Sequence, residues 1–244
     1  MSTYKSADFI INEALRELGL PKSNLTNQTN DSTAYQMLGI LNALGAQLLR
    51  AHDWQLLEKV MTFAGNGTDS TFPLPADYGR QVNQTQWATS DNRPLLGPTS
   101  PQVWSWCQYG IVSVGVYFRY RLLDGEYNIF PVPGAGEEFA LYYISKNWVQ
   151  VPATTQPPVP ITYTDVVTTP DQIPLFDDRL MIAGVKLKFW AQKGFDTTLL
   201  QQEFDYLLAN EMGANQGASV INLSGNRGNY LLGWNNITDG SWNQ

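Results

Sequence analysis

Helical patterns at both ends of the chain enclose a stretch with β-strand character, and this division restricts the possible folds most. Apolar residues recur at helical spacing over positions 3–18, and Gly19 followed by Pro21 is a typical helix stop. Asp31 can cap a second helix that runs toward His52, and the short connection predicts antiparallel packing of the two helices. The apolar positions of the two helices are Phe9, Ile10, Ala14, Leu15 and Leu18, then Tyr35, Leu38, Leu41, Leu44, Leu48 and Leu49.

Two further helices are predicted toward the other end of the chain. Asp177 and Asp178 precede a helical pattern that Gly194 ends, and Asp196 can cap a last helix predicted to stop at Gly213. Each end of the chain thus supplies a helical hairpin. The economical architecture is α+β, with a four-helix cluster built from both ends around an inserted, mostly antiparallel β domain.

The central stretch carries the signals of antiparallel strands joined by tight turns. Two β-rich runs flank Asp124-Gly125, which is a favoured central pair of a hairpin turn. Pro101 can open a short helix at its first position. Further strand-like runs are Val60 to Ala64 before an Asn66-Gly67 turn, Val82 to Trp87, and positions 139–149.

The predicted domain boundaries follow this division. The helical domain comprises residues 1–53 and 175–213, and the β domain comprises residues 54–174 with a proline-rich connection from about 150. That connection is too long and too rich in breakers to be an ordinary compact loop. Residues 214–244 are predicted to be an extended tail, because their Gly- and Asn-rich sequence cannot make a core of its own.

The surface is predicted to be polar and weakly charged. The formal net charge is −7 and 15% of the residues are charged, where about a quarter is usual. A protein that wraps around the phosphate backbone of a nucleic acid binds it through Lys and Arg side chains. The negative net charge therefore argues against this kind of binding. A surface rich in Asn, Gln, Thr and Ser suits a protein covered by other subunits, although a plain polar exterior is the commoner explanation.

The single cysteine, Cys107, excludes an intrachain disulfide and a metal site built on thiolates. The first residues lack the basic start and apolar run of an export signal, and no later stretch reaches the length of a membrane span. We therefore expect a soluble protein that is not exported and has no membrane partner.

Few residues are candidates for catalysis. His52 is the only histidine, and its place at a predicted helix end favours a structural role in bonding the last carbonyls. Cys107 is predicted to be a small buried apolar residue. No phosphate loop, dinucleotide fingerprint or metal-ligand cluster occurs, so no catalytic, cofactor or metal site is predicted. The alternative is a glycan-binding or glycan-cleaving β domain that uses two of the carboxylates Glu126, Glu137, Glu138, Asp165 and Asp171.

Two short proline motifs, FPLP at 72–75 and FPVP at 130–133, each follow a predicted strand and precede a turn. Proline cannot donate to a central ladder, so both motifs are predicted to mark a sheet edge or a strand end. After the first motif, Arg80 can pair with Asp77.

Several motifs follow one another in a recognisable order along the chain. The order is an N-terminal helical pair, P-x-D-Y-x-R (75–80), a polar strand, R-P-L (93–95), a short helix bearing Trp, a hairpin ending in F-P-x-P (130–133), Y-Y (142–143) and C-terminal helices. This order resembles the head-to-tail adaptor proteins of tailed bacteriophages, which include the tail tubular A-type and head-completion proteins of short-tailed phages. The resemblance covers roughly residues 3 to 212, while the 150–174 connection and the tail depart from shorter members.

The resemblance implies a structural virion protein rather than an enzyme. Such adaptors assemble in the host cytoplasm and form a ring, typically of twelve copies, in the neck of the virion. The ring joins the portal to the next tail component and surrounds the channel through which DNA leaves during genome ejection. A net charge of −7 fits DNA that passes without specific binding.

The resemblance also implies that helices or the C-terminal tail contact the portal. A tail that cannot fold alone can become ordered on its partner. We predict apolar docking anchors in the tail, and the alternative is a tail draped on its own subunit. A tail nozzle or tube subunit is a further alternative to the adaptor. The predicted anchors are Ile221, Leu223, Tyr230, Leu231 and Trp234.

Overall fold

The computed structural model describes residues 4–27, 31–110, 117–155 and 158–216. Within these ranges the chain forms five α-helices and several antiparallel sheets, which confirms the predicted α+β class. The helices are α1 (Ala7–Glu17), α2 (Ser32–Ala51), α3 (Pro101–Tyr109), α4 (Asp178–Lys193) and α5 (Thr198–Gln216). The strands are β1 (Glu58–Ala64), β2 (Thr71–Pro73), β3 (Tyr78–Gln81), β4 (Trp87–Ala88), β5 (Arg93–Pro94), β6 (Arg119–Leu123), β7 (Glu126–Phe130), β8 (Glu138–Ser145), β9 (Val149–Val151), β10 (Thr154–Thr155), β11 (Pro158–Val159), β12 (Thr162–Thr164) and β13 (Ile173–Pro174).

Local capping residues fix most helix ends where the sequence predicts them. The Asp31 carboxylate accepts hydrogen bonds from two main-chain N–H groups in the first turn of α2, and Asp177 caps α4 in the same way. Gly194 ends α4 in a left-handed conformation, with φ of 77°. The predicted stop at Gly213 is wrong, because α5 continues to Gln216. A glycine typically ends a helix when its own backbone adopts the left-handed conformation, and the backbone of Gly213 does not adopt it.

Helix α4 lies at the centre of the helical part and packs against α1, α2 and α5. Every residue from 180 to 186 is buried, so this part of α4 is covered on all sides, unlike a helix that lies at a surface. Gly184 allows the close approach of its neighbours. A Cβ atom at this position would lie 2.6 Å from the Leu44 side chain of α2 and 2.9 Å from Phe204 of α5.

Two antiparallel sheets pack face to face in the β part. In the first sheet, β8 pairs with β1 along one edge and with β3 and β4 along the other, and β5 extends β4. The second sheet has the order β2-β7-β6. Aromatic rings fill the space between the sheets: Phe63 of β1 lies 4.4 Å from Phe72 of β2 between ring centroids, and Tyr120 stacks on Tyr127. The two sheets therefore form a sandwich around one core.

The predicted hairpin between β6 and β7 is confirmed, with φ of 51° at Asp124 and 74° at Gly125. The prediction of one strand over 82–87 is wrong, because β3 ends at Gln81 and β4 begins at Trp87. Between them the Thr85 hydroxyl and the Gln86 amide both donate to the Val82 carbonyl, which closes a turn.

The predicted strand over 139–149 also ends early, at Ser145. The Ser145 hydroxyl accepts a hydrogen bond from the Asn147 N–H, which turns the chain before β9. The proline motifs are at strand ends, as predicted. Pro73 is the last residue of the edge strand β2, and Phe130 is the last residue of β7.

The connection after residue 150 is built against the helices. Its strands β12 and β13 pair with β9, and β10 pairs with β11. The Asn42 side chain of α2 exchanges two hydrogen bonds with the main chain of Val167, at 2.8 and 3.0 Å. The Ala7 N–H of α1 donates to the Gln172 carbonyl. The connection thus joins the sandwich to α1 and α2.

Trp148, between β8 and β9, lies in the core of the helical part rather than in the sandwich. Its indole ring is 1% exposed, stacks on Phe176 at 5.7 Å and lies directly on Gly45 of α2. A Cβ atom at position 45 would overlap three atoms of that ring. The indole ring can therefore pack against α2 only because Gly45 has no side chain.

Substitution of Gly45 by Ala should destabilise the protein, while Gly39→Ala in the same helix should not. The first change forces a methyl group into the buried indole, and overpacking of this kind costs about 1 to 3 kcal/mol. No atom lies within 4 Å of a Cβ at Gly39, so removal of a helix glycine should be neutral or stabilising by about 0.5 to 1 kcal/mol. Urea unfolding of the two variants measures both changes. Equal effects would show that the Trp148 contact does not constrain α2.

Candidate functional site

The predicted docking residues of the tail, Ile221 to Trp234, lie outside the described residues. The structure does show where the chain leads into the tail. Asn215, near the end of α5, donates to the Asp53 carbonyl and accepts from the Gln55 N–H, both at 3.2 Å. Since Asp53 and Gln55 lie between α2 and β1, the tail starts at the junction of the helical part and the sandwich.

A groove opens beside this junction. It encloses about 430 Å³, and Leu56, the neighbour of Gln55, forms part of its wall and is 52% exposed. Its wall contains both apolar side chains and hydrogen-bonding groups, a surface that suits an extended peptide segment. The lining residues are Tyr4, Leu56, Leu57, Glu58, Lys59, Ser145, Asn147, Gln150, Tyr163 and Leu175.

Asp77 lies next to this groove and accepts three side-chain hydrogen bonds. The donors are the Lys59 ammonium at 2.5 Å, the Ser145 hydroxyl at 2.9 Å and the Tyr143 hydroxyl at 3.0 Å. Burial alone would raise the pKa of Asp77, but these donors outweigh it and hold the pKa below its ordinary value. Burial and the Asp77 charge together raise the pKa of Tyr143 to about 12.

The predicted Asp77–Arg80 pair is wrong. Arg80 instead forms an ion pair with Asp53 at 2.7 Å and donates to the Leu49 and His52 carbonyls at the end of α2. Asp77 belongs to the turn before β3, and a register shift between Tyr78 and Arg80 lies between the two residues, so Arg80 reaches the helix while Asp77 contacts Lys59. Arg80 therefore fastens the first sheet to the C-terminal end of α2.

The prediction that His52 bonds the last carbonyls of α2 is wrong, because Arg80 donates to the Leu49 and His52 carbonyls instead. Its ring meets Trp54 edge-on at 5.2 Å, and its buried Nε2 has no hydrogen-bond partner among the described residues. Cys107 is buried, as predicted, with an Arg119 nitrogen 3.5 Å from its sulfur.

A second polar network joins the helices of the two chain ends. Lys186 of α4 is 7% exposed and forms ion pairs with Glu17 of α1 at 2.6 Å and with Glu203 of α5 at 3.2 Å. Arg179 also pairs with Glu17. Burial opposes ionisation of Glu17, yet the two cations keep its pKa below the ordinary value. No sequence pattern identifies this network, because its members are far apart along the chain.

The carboxylates named for glycan chemistry are distributed over separate elements. Glu126 is in β7 of the second sheet, while Glu138 begins β8 of the first. The Glu137 carboxylate accepts from the Gly134 N–H at 2.6 Å and so stabilises its own turn. Asp165 and Asp171 belong to the connection that packs on the helices. Among the described residues, no group of three or more His, Cys, Asp or Glu side chains is arranged to hold a metal ion.

Sequence comparison assigns the chain to a family. The sequence model of the SU10 adaptor protein family matches residues 5–219. The chain belongs to the SU10 adaptor protein family. The match covers α1 through α5 together with the sandwich, and it supports the predicted phage head-to-tail adaptor, a structural component of the virion.

The short-tailed and A-type assignments stay predictions. No curated protein sequence matches the chain. None of the helices in the described ranges combines the length and hydrophobicity that a membrane crossing requires.

Replacement of Asp77 by Asn should lower the free energy of unfolding at neutral pH. It should also make that free energy depend less on pH in the acidic range. Because the pKa of Asp77 is lower in the folded protein, its contribution is present above the unfolded pKa of about 4 and is lost as the pH falls through the folded value. We expect Asp77→Asn to lower the free energy of unfolding by about 1 to 3 kcal/mol at pH 7 and by less at pH 3. Urea unfolding across this pH range measures the difference.

Asp91→Asn is the matched control, because Asp91 is exposed and forms no ion pair with a described residue. It should leave the pH profile unchanged. If the free energy of unfolding changed with pH by the same amount in the wild type and in Asp77→Asn, this would contradict a lowered pKa at Asp77.

Proposed function

We propose that this adaptor forms a ring that joins the portal to the next tail component and surrounds the DNA exit channel. The single observation that carries the proposal is the family match over residues 5–219. Twelve copies, a short-tailed virion and a neck position are part of the same proposal. So is assembly in the host cytoplasm before genome ejection.

The charge of the chain supports a channel that does not retain DNA. A ring multiplies the net charge of −7 carried by each copy, and negative charge repels phosphates at short range. Three cations of the described residues, Lys186, Arg80 and Lys59, are already paired with carboxylates. Their positive charge is therefore largely neutralised within the subunit.

We further propose that the tail docks on the portal through Ile221, Leu223, Tyr230, Leu231 and Trp234. The anchoring of Asn215 to Asp53 and Gln55 supports this role, because it gives the tail a firm starting point at the junction. The contacts of α4 with α1, α2 and α5 support a four-helix cluster that holds the junction in place.

Deletion of residues 217–244 should weaken the joining of the adaptor to purified cognate portal rings. The deletion begins after Gln216 so that α5 and the Asn215 contacts are kept. The truncated chain should unfold at the same temperature as the full chain within a few degrees. Co-sedimentation with portal rings measures the joining, and electron microscopy of assembled particles shows the position of the ring.

A full-length variant with Ser at the five anchor positions separates the apolar anchors from tail length. It should bind portal rings as weakly as the deletion. Unchanged binding by both variants would contradict the role of the tail. If the intact protein did not bind portal rings, this would contradict the adaptor role itself.

A further inference from the structure

One outer face of the sandwich belongs to the first sheet. In β1 and β8 the residues Met61, Phe63, Phe139 and Leu141 point into the core, so the alternate residues point outward. Near the helices this outer face is covered, because Ile144 belongs to the helical core. Further from the helices it is exposed and carries, as the open sheet face, Val60, Thr62, Trp87, Ala140 and Tyr142.

The side chains of the open sheet face lie in rows across the strands. Val60 faces Tyr142 across β1 and β8, and these side chains are 51% and 41% exposed. Thr62, Ala140 and Trp87 form the adjacent row over β1, β8 and β4. Large apolar side chains that lie together at a surface indicate an interaction site.

Helix α3 lies beside the second sheet, next to its edge strand β6, where the Thr99 N–H donates to the Tyr120 carbonyl. The Arg119 guanidinium of β6 contacts Cys107 of α3 at 3.5 Å, so α3 lies beside the outward residues of β6. Trp104 and Cys107 are buried on the inner side of α3. The other side, the α3 face, consists of Val103, Trp106 and Tyr109, which are 37%, 53% and 85% exposed.

The outer faces of the two sheets point away from each other. The inner faces of both sheets contribute to one core, in which Phe63 of the first sheet meets Phe72 and Tyr127 of the second. The outer faces therefore lie on opposite sides of the sandwich. A subunit in a head-to-tail ring needs two different contact surfaces of this kind, one for each neighbour.

The charges on the two faces are complementary. Glu138 lies on the open sheet face, in line with Ala140 and Tyr142, and it has no cation within 4 Å among the described residues. Arg121 projects from β6 on the same side as Arg119, and it has no carboxylate partner among the described residues.

The second sheet is not basic throughout. Asp124 and Glu126 lie at the hairpin end of β6 and β7. The basic part of this outer face is thus confined to the part of β6 that adjoins α3.

We infer that the open sheet face of one copy contacts the α3 face of the next copy in the ring. The inference rests on the proposed ring. It commits to a second copy as the partner because the open sheet face belongs to the first sheet, the α3 face lies beside the second sheet, and the charges next to them, Glu138 and Arg121, are opposite in sign. Such a contact repeats from copy to copy and places Glu138 against Arg121 at its edge.

A photo-crosslinking amino acid in place of Tyr142 tests this contact in virus particles that carry the variant chain. Illumination should join two copies of the chain, and mass spectrometry should locate the second end of the link in α3, within residues 101–109. The same amino acid at Tyr206, which is 68% exposed on α5, is the control and should give no link to α3.

Charge reversal tests the pairing at the edge. Glu138→Arg and Arg121→Glu should each lower the yield of linked dimers about three- to fivefold, because each places like charges together. The double variant should restore the yield, since the pair is re-formed with its signs exchanged. Circular dichroism of both purified single variants should match the wild type, because both side chains lie outside the core.

Three results would overturn the inference: links from position 142 to another virion protein, links between copies through a segment other than α3, or no links at all. A double variant as weak as either single variant would remove Glu138 and Arg121 from the contact. These results are independent of portal binding. Suppose that copies of the chain are linked through α3 but the protein does not bind portal rings. This result would contradict the proposed function and would still support the contact between copies.

Discussion

The contact of Trp148 with Gly45 is the constraint on which the rest of the structure depends. The indole ring comes from the short segment between β8 and β9 but lies in the core of the helical part, against Phe176 and α2. A large ring buried on a glycine has one way to fit, because protein interiors are closely packed. It therefore sets the distance between the sandwich and the helices, and the other links between the two parts follow from that distance.

Those links are polar and come from distant positions of the chain. Arg80 joins β3 to the last carbonyls of α2, Asn42 joins α2 to the connection, and Asn215 joins α5 to the start of β1. Each of these side chains supplies donors to main-chain carbonyls that a helix end or a loop leaves free. The junction is thus held from several directions.

The open sheet face belongs to the first sheet of the sandwich, and the α3 face lies beside the second sheet. For a structural protein of the SU10 adaptor protein family, this arrangement matters more than any reactive group. The strongest polar clusters, around Asp77 and Lys186, use their charges inside the subunit. Several large aromatic side chains stay exposed on the exterior, among them Tyr35, Trp106 and Tyr109.

The sequence by itself determined the features that depend on neighbouring residues. Asp31, Asp177 and Gly194 set helix ends, and Asp124-Gly125 set a hairpin, because capping and tight turns involve residues a few positions apart. The family resemblance also followed from the order of such elements. Only the tertiary structure decided that Arg80 binds Asp53 rather than Asp77, and that Lys186 is buried between Glu17 and Glu203. These partners are brought together by packing, and the physical reason is that a side chain bonds whatever the fold places within its reach.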